Sequence, residues 1–307
     1  MRIVVTGASG HFGQAAAEQL LKSVPAGDLI LVSRDPLKLE RFAGLGATAR
    51  YGDFDDPDSL AAAFEDGEKM LFISTSRIGR RLAWHTNAVN AAVRAGLKHI
   101  VYTSFVGATT DDPSLSVIDH FSTEAQLRAS GVDWTVLRNS QYTNAIIETA
   151  APIALKAGRW IGIAGDGEIA PVPRRECVEA AVAVLTTPGH RHTVYNITGP
   201  ELLSHPRIAS IVAEIVGRPL PYETVTEDDM YALFDSLGIP RTTVDGLTVA
   251  GVPWCSDYIV SFERTIRAGQ FAVISDDYRK LTSRTPCSVR EFALEHKAFL
   301  EAILSSP

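Results

Sequence analysis

The fold is decided by the stretch Ile3-Val4-Val5-Thr6-Gly7-Ala8-Ser9-Gly10-His11-Phe12-Gly13. Its apolar start predicts a buried strand, and the apolar periodicity that follows the glycines predicts a helix. Glycine tolerates positive φ and lets a ligand approach the backbone, while the free N–H groups at a helix N-terminus attract an anion. This combination of strand, glycine turn and helix start predicts a cradle for a dinucleotide pyrophosphate.

The three glycines are spaced G-x-x-G-x-x-G, whereas the common dinucleotide fingerprint is G-x-G-x-x-G. Glycines at this spacing can also serve a tight turn alone. Their position between a strand and an amphipathic helix favours cofactor binding, so Gly7, Gly10 and Gly13 are candidate cofactor contacts.

Composition limits the class of protein. The chain has 307 residues, 46% of them hydrophobic, and a net charge of −7. We therefore expect a large buried core and no nucleic-acid partner, because duplex binding needs clustered Lys and Arg. No apolar run reaches the roughly 18 to 20 residues that span a bilayer, and a strand starting at residue 2 leaves no room for a signal peptide. We expect a cytoplasmic protein without membrane association.

Cysteine and histidine usage indicates no metal centre. Cys177, Cys255 and Cys287 form no C-x-x-C pair, and the eight histidines form no ligand motif. We expect neither a disulfide nor a bound metal.

Short apolar runs alternate with helical patterns through the first half of the chain. The alternation has the length of βαβ units and predicts an α/β fold with a Rossmann-type, doubly wound parallel sheet. The predicted strands are 3–6, 29–33, 48–51, 70–74, 100–103 and 135–137, and the predicted helices are 12–23, 36–44, 57–65, 80–95 and 118–130.

After residue 140 the pattern loosens, and residues such as Gly165, Pro171 and Pro173 interrupt it. Here the sequence predicts helices at 140–156, 205–217, 224–237 and 256–268 and strands at 160–163 and 194–197. We expect residues 1–150 to form an NAD(P)-binding domain, with later segments added back, and residues 151–307 to form a smaller, partly discontinuous substrate lobe.

The end of the second strand discriminates between NAD and NADP. An acidic side chain there binds the ribose 2′-hydroxyl of NAD, whereas this chain has Ser33-Arg34. An arginine binds a 2′-phosphate through charge-assisted hydrogen bonds, which favours NADP(H). NAD(H) stays an alternative because Asp35 follows, and Arg34 can also be a solvated loop charge.

Ligands of parallel sheets bind at the carboxyl ends of the strands. Asp53 and Phe54 follow the third strand, where a carboxylate can accept from an adenine amino group and a ring can flank the base. An Asx turn at Asp53 is compatible with that role. Ser74-Thr75-Ser76 follows the fourth strand, and these small side chains let the backbone pass close to the nicotinamide ribose.

The usual proton donor of alcohol dehydrogenases with this fold is a Tyr-x-x-x-Lys pair. None of the eight tyrosines has a lysine four residues later, and no G-x-S-x-G elbow indicates a hydrolase. His120 can donate or accept near neutral pH, although a structural role explains a lone histidine equally well. Asn139 and Tyr142, after the sixth strand, are stronger catalytic candidates.

Together these segments resemble the NmrA-like group of atypical short-chain dehydrogenases, and within it the type 2 quinone oxidoreductases and triphenylmethane-dye reductases. The resemblance covers nearly the whole chain and is carried by residues 5–13, 32–34, 52–54, 71–74, 95–104, 137–142, 164–170 and 274–282.

The resemblance implies contacts with the cofactor. It implies that the NADP phosphates are held by Gly7, Ser9, Gly10, His11, Phe12 and Arg34, and that the ribose is lined by Ser74, Thr75 and Ser76. It also implies that the nicotinamide is faced by Arg138, Asn139 and Tyr142, and that Arg174 contacts the cofactor or the substrate.

These observations predict hydride transfer from NADPH to a quinone or a related conjugated, aromatic acceptor. The reduced acceptor is a phenolate with a pKa of roughly 10, so the missing Tyr-x-x-x-Lys pair is tolerable. Two alternatives stay open, namely a reductase of a carbonyl, enone or benzylic ether that uses His120 as donor, and a catalytically silent NAD(P)-sensing regulator. The oligomeric state is also open, with a homodimer as one outcome.

Overall fold

Strands and helices alternate through residues 1–75, 80–108, 114–244 and 255–305, which the computed structural model describes. The strands are β1 (Ile3–Val5), β2 (Leu29–Ser33), β3 (Thr48–Tyr51), β4 (Lys69–Phe72), β5 (His99–Phe105), β6 (Asp133–Asn139), β7 (Trp160–Gly162), β8 (Glu168–Ile169), β9 (Thr193–Ile197), β10 (Leu203–Ser204) and β11 (Tyr222–Thr224). The helices are α1 (His11–Leu20), α2 (Glu40–Ala43), α3 (Pro57–Ala63), α4 (Arg81–Arg94), α5 (Leu115–Ala129), α6 (Thr143–Ala145), α7 (Ala151–Ala157), α8 (Arg174–Thr186), α9 (His205–Val216), α10 (Glu227–Ser236), α11 (Ser256–Arg267), α12 (Asp277–Thr282), α13 (Val289–Glu295) and α14 (Lys297–Ser305). None of these helices is long and apolar enough to cross a membrane.

The main sheet has seven strands in the order β3-β2-β1-β4-β5-β6-β9, and every neighbouring pair is parallel. The strand order reverses between β1 and β4, which is where doubly wound sheets open a crevice for a ligand. The predicted fold class, an α/β protein with a Rossmann-type parallel sheet, is confirmed.

Helices cover both faces of this sheet because alternate strand residues point to opposite sides. One face packs against α1 and α8 through Ile3, Val5, Leu29, Leu31, Leu71, Val101 and Leu137. The other packs against α3 and α4 through Val4, Ile30, Val32, Met70, Phe72, Ile100 and Tyr102. The sheet is therefore buried between two apolar layers. Because its strands are parallel, their carboxyl ends all lie at one edge.

Helix α8 was not predicted from the sequence, because Pro171 and Pro173 read as interruptions. Pro173 instead occupies the N-cap of α8, where a fixed φ and a missing N–H cost the helix little. The helix packs against α1, and β9 pairs with β6. Residues 174–197 thus complete the main sheet and the helical layer beside it.

The remaining elements form a smaller lobe at the carboxyl edge of the sheet. Strand β7 pairs with β11, and β8 pairs with β10. The helix predicted at 140–156 is divided, since a π-helical turn at Ile146–Ala150 separates α6 from α7. Phe262 of α11 packs edge-on against Phe105 of β5, with ring centroids 5.6 Å apart. The lobe therefore borders the edge where ligands of parallel sheets bind.

Candidate active site

The glycine turn after β1 has the shape that a close backbone approach requires. Gly7 has φ +60°, and its carbonyl oxygen accepts the N–H of Gly10 at 3.0 Å. A Cβ on Gly13 would lie 2.6 Å from Cα of Ala8, so only glycine lets α1 start this close to the strand. The N-cap, Gly10, supplies no side-chain cap to the first turn of α1. The N–H groups of that turn are suited to hold an anionic ligand.

A cleft of about 410 Å³ opens beside this turn, at the carboxyl ends of β1 to β4. Its volume lies in the range of small-molecule sites. The predicted cofactor contacts that line it are Gly7, Ser9, Gly10, His11, Phe12, Gly13, Arg34, Asp53, Phe54, Ser74 and Thr75. Ser76 lies outside the described residues. The cradle and the cleft together fit a dinucleotide.

The end of β2 presents positive charge to the cleft. Ser33 donates a hydrogen bond to Ser9 (2.8 Å) and accepts one from the backbone N–H of Asp35 (3.0 Å). Arg34 is exposed and makes no hydrogen bond or ion pair with the part of the chain that the structure describes. The Asp35 carboxylate lies 3.5 Å from the ammonium of Lys38. Arg34 and Lys38 therefore give this end of the cleft the chemistry to bind a phosphate.

The end of β3 forms the opposite wall. Asp53 closes an Asx turn, in which Oδ1 accepts the backbone N–H of Asp55 at 3.1 Å. The Phe54 ring lies edge-on to Phe72, with centroids 5.7 Å apart. Trp84, which also lines the cleft, donates from its indole N–H to Asp55 at 2.9 Å. A turn, a carboxylate and two aromatic rings thus meet where adenine was expected.

Two residues that line the cleft, Lys38 and Trp84, were not predicted from the sequence. Lys38 follows Arg34 by four residues, so a basic pair after the second strand was the available signal. Trp84 lies on α4, and helix α3 and strand β4 separate it along the chain from Asp53. Only the packing of α3 against α4 brings it to the cleft.

The end of β4 is held in place by side-chain hydroxyls. Thr6 accepts the backbone N–H of Ile73 at 3.1 Å, and Thr103 accepts that of Ser74 at 2.9 Å. Thr75 donates its backbone N–H to Nε2 of His85 at 3.3 Å. The turn at residues 73–75 is therefore fixed from three neighbouring elements before any ligand binds.

Asn139, the last residue of β6, and Tyr142, three residues later, come together next to the cleft. Nδ2 of Asn139 donates to the Tyr142 hydroxyl at 3.3 Å, and the Tyr142 ring lies 6.5 Å from that of Phe12, which lines the cleft. Burial raises the pKa of the Tyr142 hydroxyl above its ordinary value, so this group is a neutral phenol. The Arg174 guanidinium lies 5.6 Å from the centroid of the same ring. These three predicted residues thus form one cluster.

Arg138 does not line the cleft. Its guanidinium makes two hydrogen bonds to the buried carboxylate of Glu124, at 2.9 and 2.7 Å. Ser104 and Arg128 donate to the same carboxylate at 2.7 and 2.9 Å. The structure places Arg138 in a buried ion pair between β6 and α5, and its contact with the nicotinamide stays a prediction.

His120 is buried on α5 and does not line the cleft either. Its Nδ1 lies 2.7 Å from the hydroxyl of Tyr102, and its ring centroid lies 6.3 Å from that of Phe105. Phe105 is paired with Asn139 in the register of β5 and β6. His120 therefore lies beside the strand ends that carry the Asn139–Tyr142 pair.

Comparison with protein families gives one match over residues 7–188, to a model described as NAD(P)H-binding. The chain is 36% identical over 250 residues to quinone oxidoreductase 2 of Escherichia coli (strain K12), covering 81% of this chain and 87% of that protein.

Two solved structures agree with the whole fold. The crystal structure of the NADPH-dependent quinone oxidoreductase of Escherichia coli, complexed with NADPH, superposes with a TM-score of 0.86 at 32% identity, covering 95% of this chain and 99% of that one. The Citrobacter sp. triphenylmethane reductase, complexed with NADP(H), superposes with a TM-score of 0.84 at 28% identity, covering 95% and 99%.

Proposed function

We propose that this chain, which belongs to the NAD(P)H-binding family of NmrA-like atypical short-chain dehydrogenases, reduces quinones or related conjugated acceptors with NADPH. The family, the cofactor class and the oxidoreductase activity predicted from the sequence are confirmed. NADPH supplies the hydride when it is bound. The quinone oxidoreductase and the dye reductase among the relatives are named for conjugated acceptors, which supports the same substrate class here.

The observation that carries the proposal is the neutral polar pair Asn139 and Tyr142, which lies beside the cleft and next to Phe12 of its lining. Asn139 and Tyr142 offer an amide and an un-ionised phenol there, and Lys38 is the single lysine among the described residues that line the cleft. Lys38 lies at the β2 end, remote in the fold from this pair. Reduction of a ketone generates a strongly basic alkoxide and calls for a proton donor. A reduced quinone is a phenolate with a pKa of roughly 10, for which hydrogen bonds suffice.

The roles of the site residues follow from their chemistry. The first turn of α1 would hold the pyrophosphate, and Arg34 and Lys38 would hold the 2′-phosphate. Asp53, Phe54 and Trp84 would hold the adenine. Because Asn139 donates to the Tyr142 hydroxyl, the phenolic hydrogen is free to point at developing negative charge on the acceptor. Catalysis would rest mainly on holding the acceptor close to the hydride.

We also propose that the protein works in the cytoplasm and as a homodimer. Cys177, Cys255 and Cys287 are free thiols, which suits a reducing compartment. Leu82 on α4 and Phe121 on α5 are 39% and 50% exposed, and a second copy of the chain would cover such side chains. Light scattering of the purified protein should give twice the mass of one chain.

The function is tested by following NADPH absorbance with a panel of acceptors. We expect oxidation with benzoquinones and naphthoquinones and none with simple ketones or aldehydes. The proposal is wrong if the protein binds NADPH and oxidises it with none of the quinones, which would favour a silent sensor. Faster turnover with ketones than with quinones would favour the carbonyl reductase.

A further inference from the structure

A chain of hydrogen bonds leads from the cleft wall to His120 and fixes the proton positions along it. His85 accepts the backbone N–H of Thr75 at Nε2, over 3.3 Å, so Nε2 carries no proton. In the neutral ring, Nδ1 must then carry it. Nδ1 lies 2.9 Å from the Thr123 hydroxyl, whose own hydrogen is donated to the carbonyl of Asp119 at 2.7 Å. His85 therefore donates from Nδ1.

The state of His85 decides the direction of the next hydrogen bond. The Tyr102 hydroxyl lies 3.4 Å from Nδ1 of His85 and 2.7 Å from Nδ1 of His120. Since Nδ1 of His85 is a donor, it does not accept the Tyr102 hydrogen, and the nearest acceptor for that hydrogen is Nδ1 of His120. The proton of the neutral His120 ring must then lie on Nε2. Nε2 makes no hydrogen bond to any residue that the structure describes.

The surroundings keep both rings uncharged. Burial, together with the charge of Arg81, lowers the pKa of His85 and of His120 well below the ordinary value. Arg81 lies on α4 and pairs at 3.8 Å with Asp119 of α5, whose pKa is raised by burial. The other titratable groups near this cluster are Glu124 on α5 and Tyr258 on α11, which packs against α5.

We propose that His120 donates a hydrogen bond from Nε2–H, as a neutral ring, to the oxygen of the acceptor, and that Tyr102 is the positioning residue that selects this tautomer. The proposal rests on the proposed function. It follows from an Nε2–H without a partner among the described residues and from the position of His120 beside Phe105, which is paired with Asn139 in the sheet. Tyr102 itself is fully buried and reaches the reaction only through His120.

A neutral imidazole donor restricts the acceptors that can be reduced. The hydride adds two electrons and one hydrogen to a quinone, which leaves as the hydroquinone monoanion and takes its proton from water. His120 keeps its proton throughout. The site therefore serves acceptors whose reduced form is a weakly basic anion and does not serve ketones, whose alkoxide needs a proton in the same step.

The tautomer can be measured without any turnover. We would record ¹⁵N–¹H spectra of protein labelled with ¹⁵N-histidine. The signals of His120 are assigned as those that are missing from the spectrum of His120→Gln. We expect an unprotonated Nδ1 and a protonated Nε2 from about pH 6 to 9. In Tyr102→Phe, Nδ1 loses its donor, and we expect both tautomers. The matched control is Tyr195→Phe, which removes another tyrosine–histidine pair (His190 Nδ1, 2.9 Å) outside the cleft.

The kinetic test uses the same variants with NADPH and a quinone. Tyr102→Phe should lower kcat about tenfold with the NADPH dissociation constant unchanged, and His120→Ala should lower it about a hundredfold. His120→Gln, which keeps a neutral donor, should recover part of that loss, and Tyr195→Phe should match the wild type. Wild-type kcat should be flat from about pH 6 to 9 because the donor does not titrate.

Three results would overturn the inference: a wild-type His120 that is protonated on Nδ1, a ring that titrates between pH 6 and 9, or a Tyr102→Phe enzyme as active as Tyr195→Phe. A wild type without quinone turnover would overturn the proposed function instead. The tautomer of His120 can still be measured in that case, because the spectrum needs no turnover. Failure of the inference and failure of the proposed function are therefore distinguishable.

Discussion

Asn139 donates from Nδ2 to the hydroxyl of Tyr142 over 3.3 Å, while its own buried Oδ1 has no partner among the described residues. The bond makes the Tyr142 oxygen an acceptor on one side and leaves its hydrogen free on the other. The pair is set side by side because Tyr142 follows the last residue of β6 by three positions, at the turn into α6. This relationship between an amide and a phenol underlies the account of catalysis.

Tyr142→Phe should separate catalysis from cofactor binding. The ring stays, so its packing against Phe12 is kept, but the donor to the acceptor oxygen is lost. We expect kcat with a quinone to fall about 10- to 100-fold, as for loss of one donor to developing charge, with NADPH affinity within about threefold of wild type. Tyr51→Phe, a change at a half-exposed tyrosine, is the control. Equal kcat in both variants would remove Tyr142 from the mechanism.

Gly13→Ala should damage both the fold and the cradle. The added methyl would meet backbone atoms of Gly7 and Ala8, which cannot move without separating α1 from β1. We expect the free energy of unfolding to fall by about 1–3 kcal/mol and NADPH binding to weaken at least about tenfold. Urea unfolding and NADPH titration measure the two effects. Gly27→Ala is the matched control because nothing lies within 4 Å of its Cβ position, and comparable losses there would contradict the account.

Arg34→Ala should change the choice of cofactor. Arg34 has no partner in the described parts of the chain, so its removal frees no buried acid and costs little stability. Loss of a charge-assisted hydrogen bond of about 1.5–3 kcal/mol would raise the dissociation constant of NADPH about 10- to 100-fold. NADH lacks the 2′-phosphate and should bind as before.

The control for Arg34 is Arg159→Ala, which removes an exposed arginine of the smaller lobe that pairs with Glu223 at 3.1 Å. Calorimetric titration of both cofactors with the two variants measures the effect. If the binding of NADPH and of NADH weakened equally in Arg34→Ala, Arg34 would not bind the 2′-phosphate.

The main sheet and the cofactor cradle could be predicted because their signals are local. The glycines at 7, 10 and 13 and the buried run of β2 act through neighbours in the chain, and the strand, the turn and the helix that they predict are present. The contacts of these glycines with the cofactor stay a prediction. Helix α8 was missed because the prolines before it are helix breakers inside a helix and good residues at its start. The packing of α8 against α1, which the local sequence does not show, accompanies the start of a helix at these prolines.

The surroundings of Arg138, Trp84 and His120 depend on contacts between elements that are distant in the chain. Such contacts could not be predicted from motifs or spacing in a single sequence. Arg138 was expected at the nicotinamide, but Glu124 of α5 pairs with its guanidinium. Trp84 reaches the cleft only through the packing of α4. The partner of His120, Tyr102, is separated from it by a loop and a helix turn, so no spacing rule pointed to the pair.

Glu263→Gln should change how stability depends on pH. Oε2 of Glu263 accepts the backbone N–H groups of Ile163 and Ala164 at 2.5 and 3.3 Å, and burial raises the pKa of this carboxyl to about 7. A pKa raised on folding means that the folded state binds the extra proton between the ordinary carboxyl pKa and 7. This contribution is therefore full at acid pH and lost as the pH rises through 7.

We expect Glu263→Gln to match the wild type near pH 5 and to exceed its free energy of unfolding by about 1–3 kcal/mol at pH 8. Urea unfolding at both pH values measures the difference, in which all other titrating groups cancel. Glu301→Gln, at a half-exposed carboxyl, should show no pH-dependent difference. An equal gain in the free energy of unfolding at pH 5 and pH 8 would show that ionisation of the buried Glu263 carboxyl is not the cause.

The central claim is hydride transfer from NADPH to a quinone in this cleft. The most direct measurement mixes the protein with NADPH deuterated at the transferred position and one equivalent of a naphthoquinone, and follows NADPH absorbance and hydroquinone together. We expect one hydroquinone formed per NADPH consumed, with slower single-turnover oxidation for the deuterated cofactor. NADPH that binds but stays reduced in the presence of the quinone would contradict it.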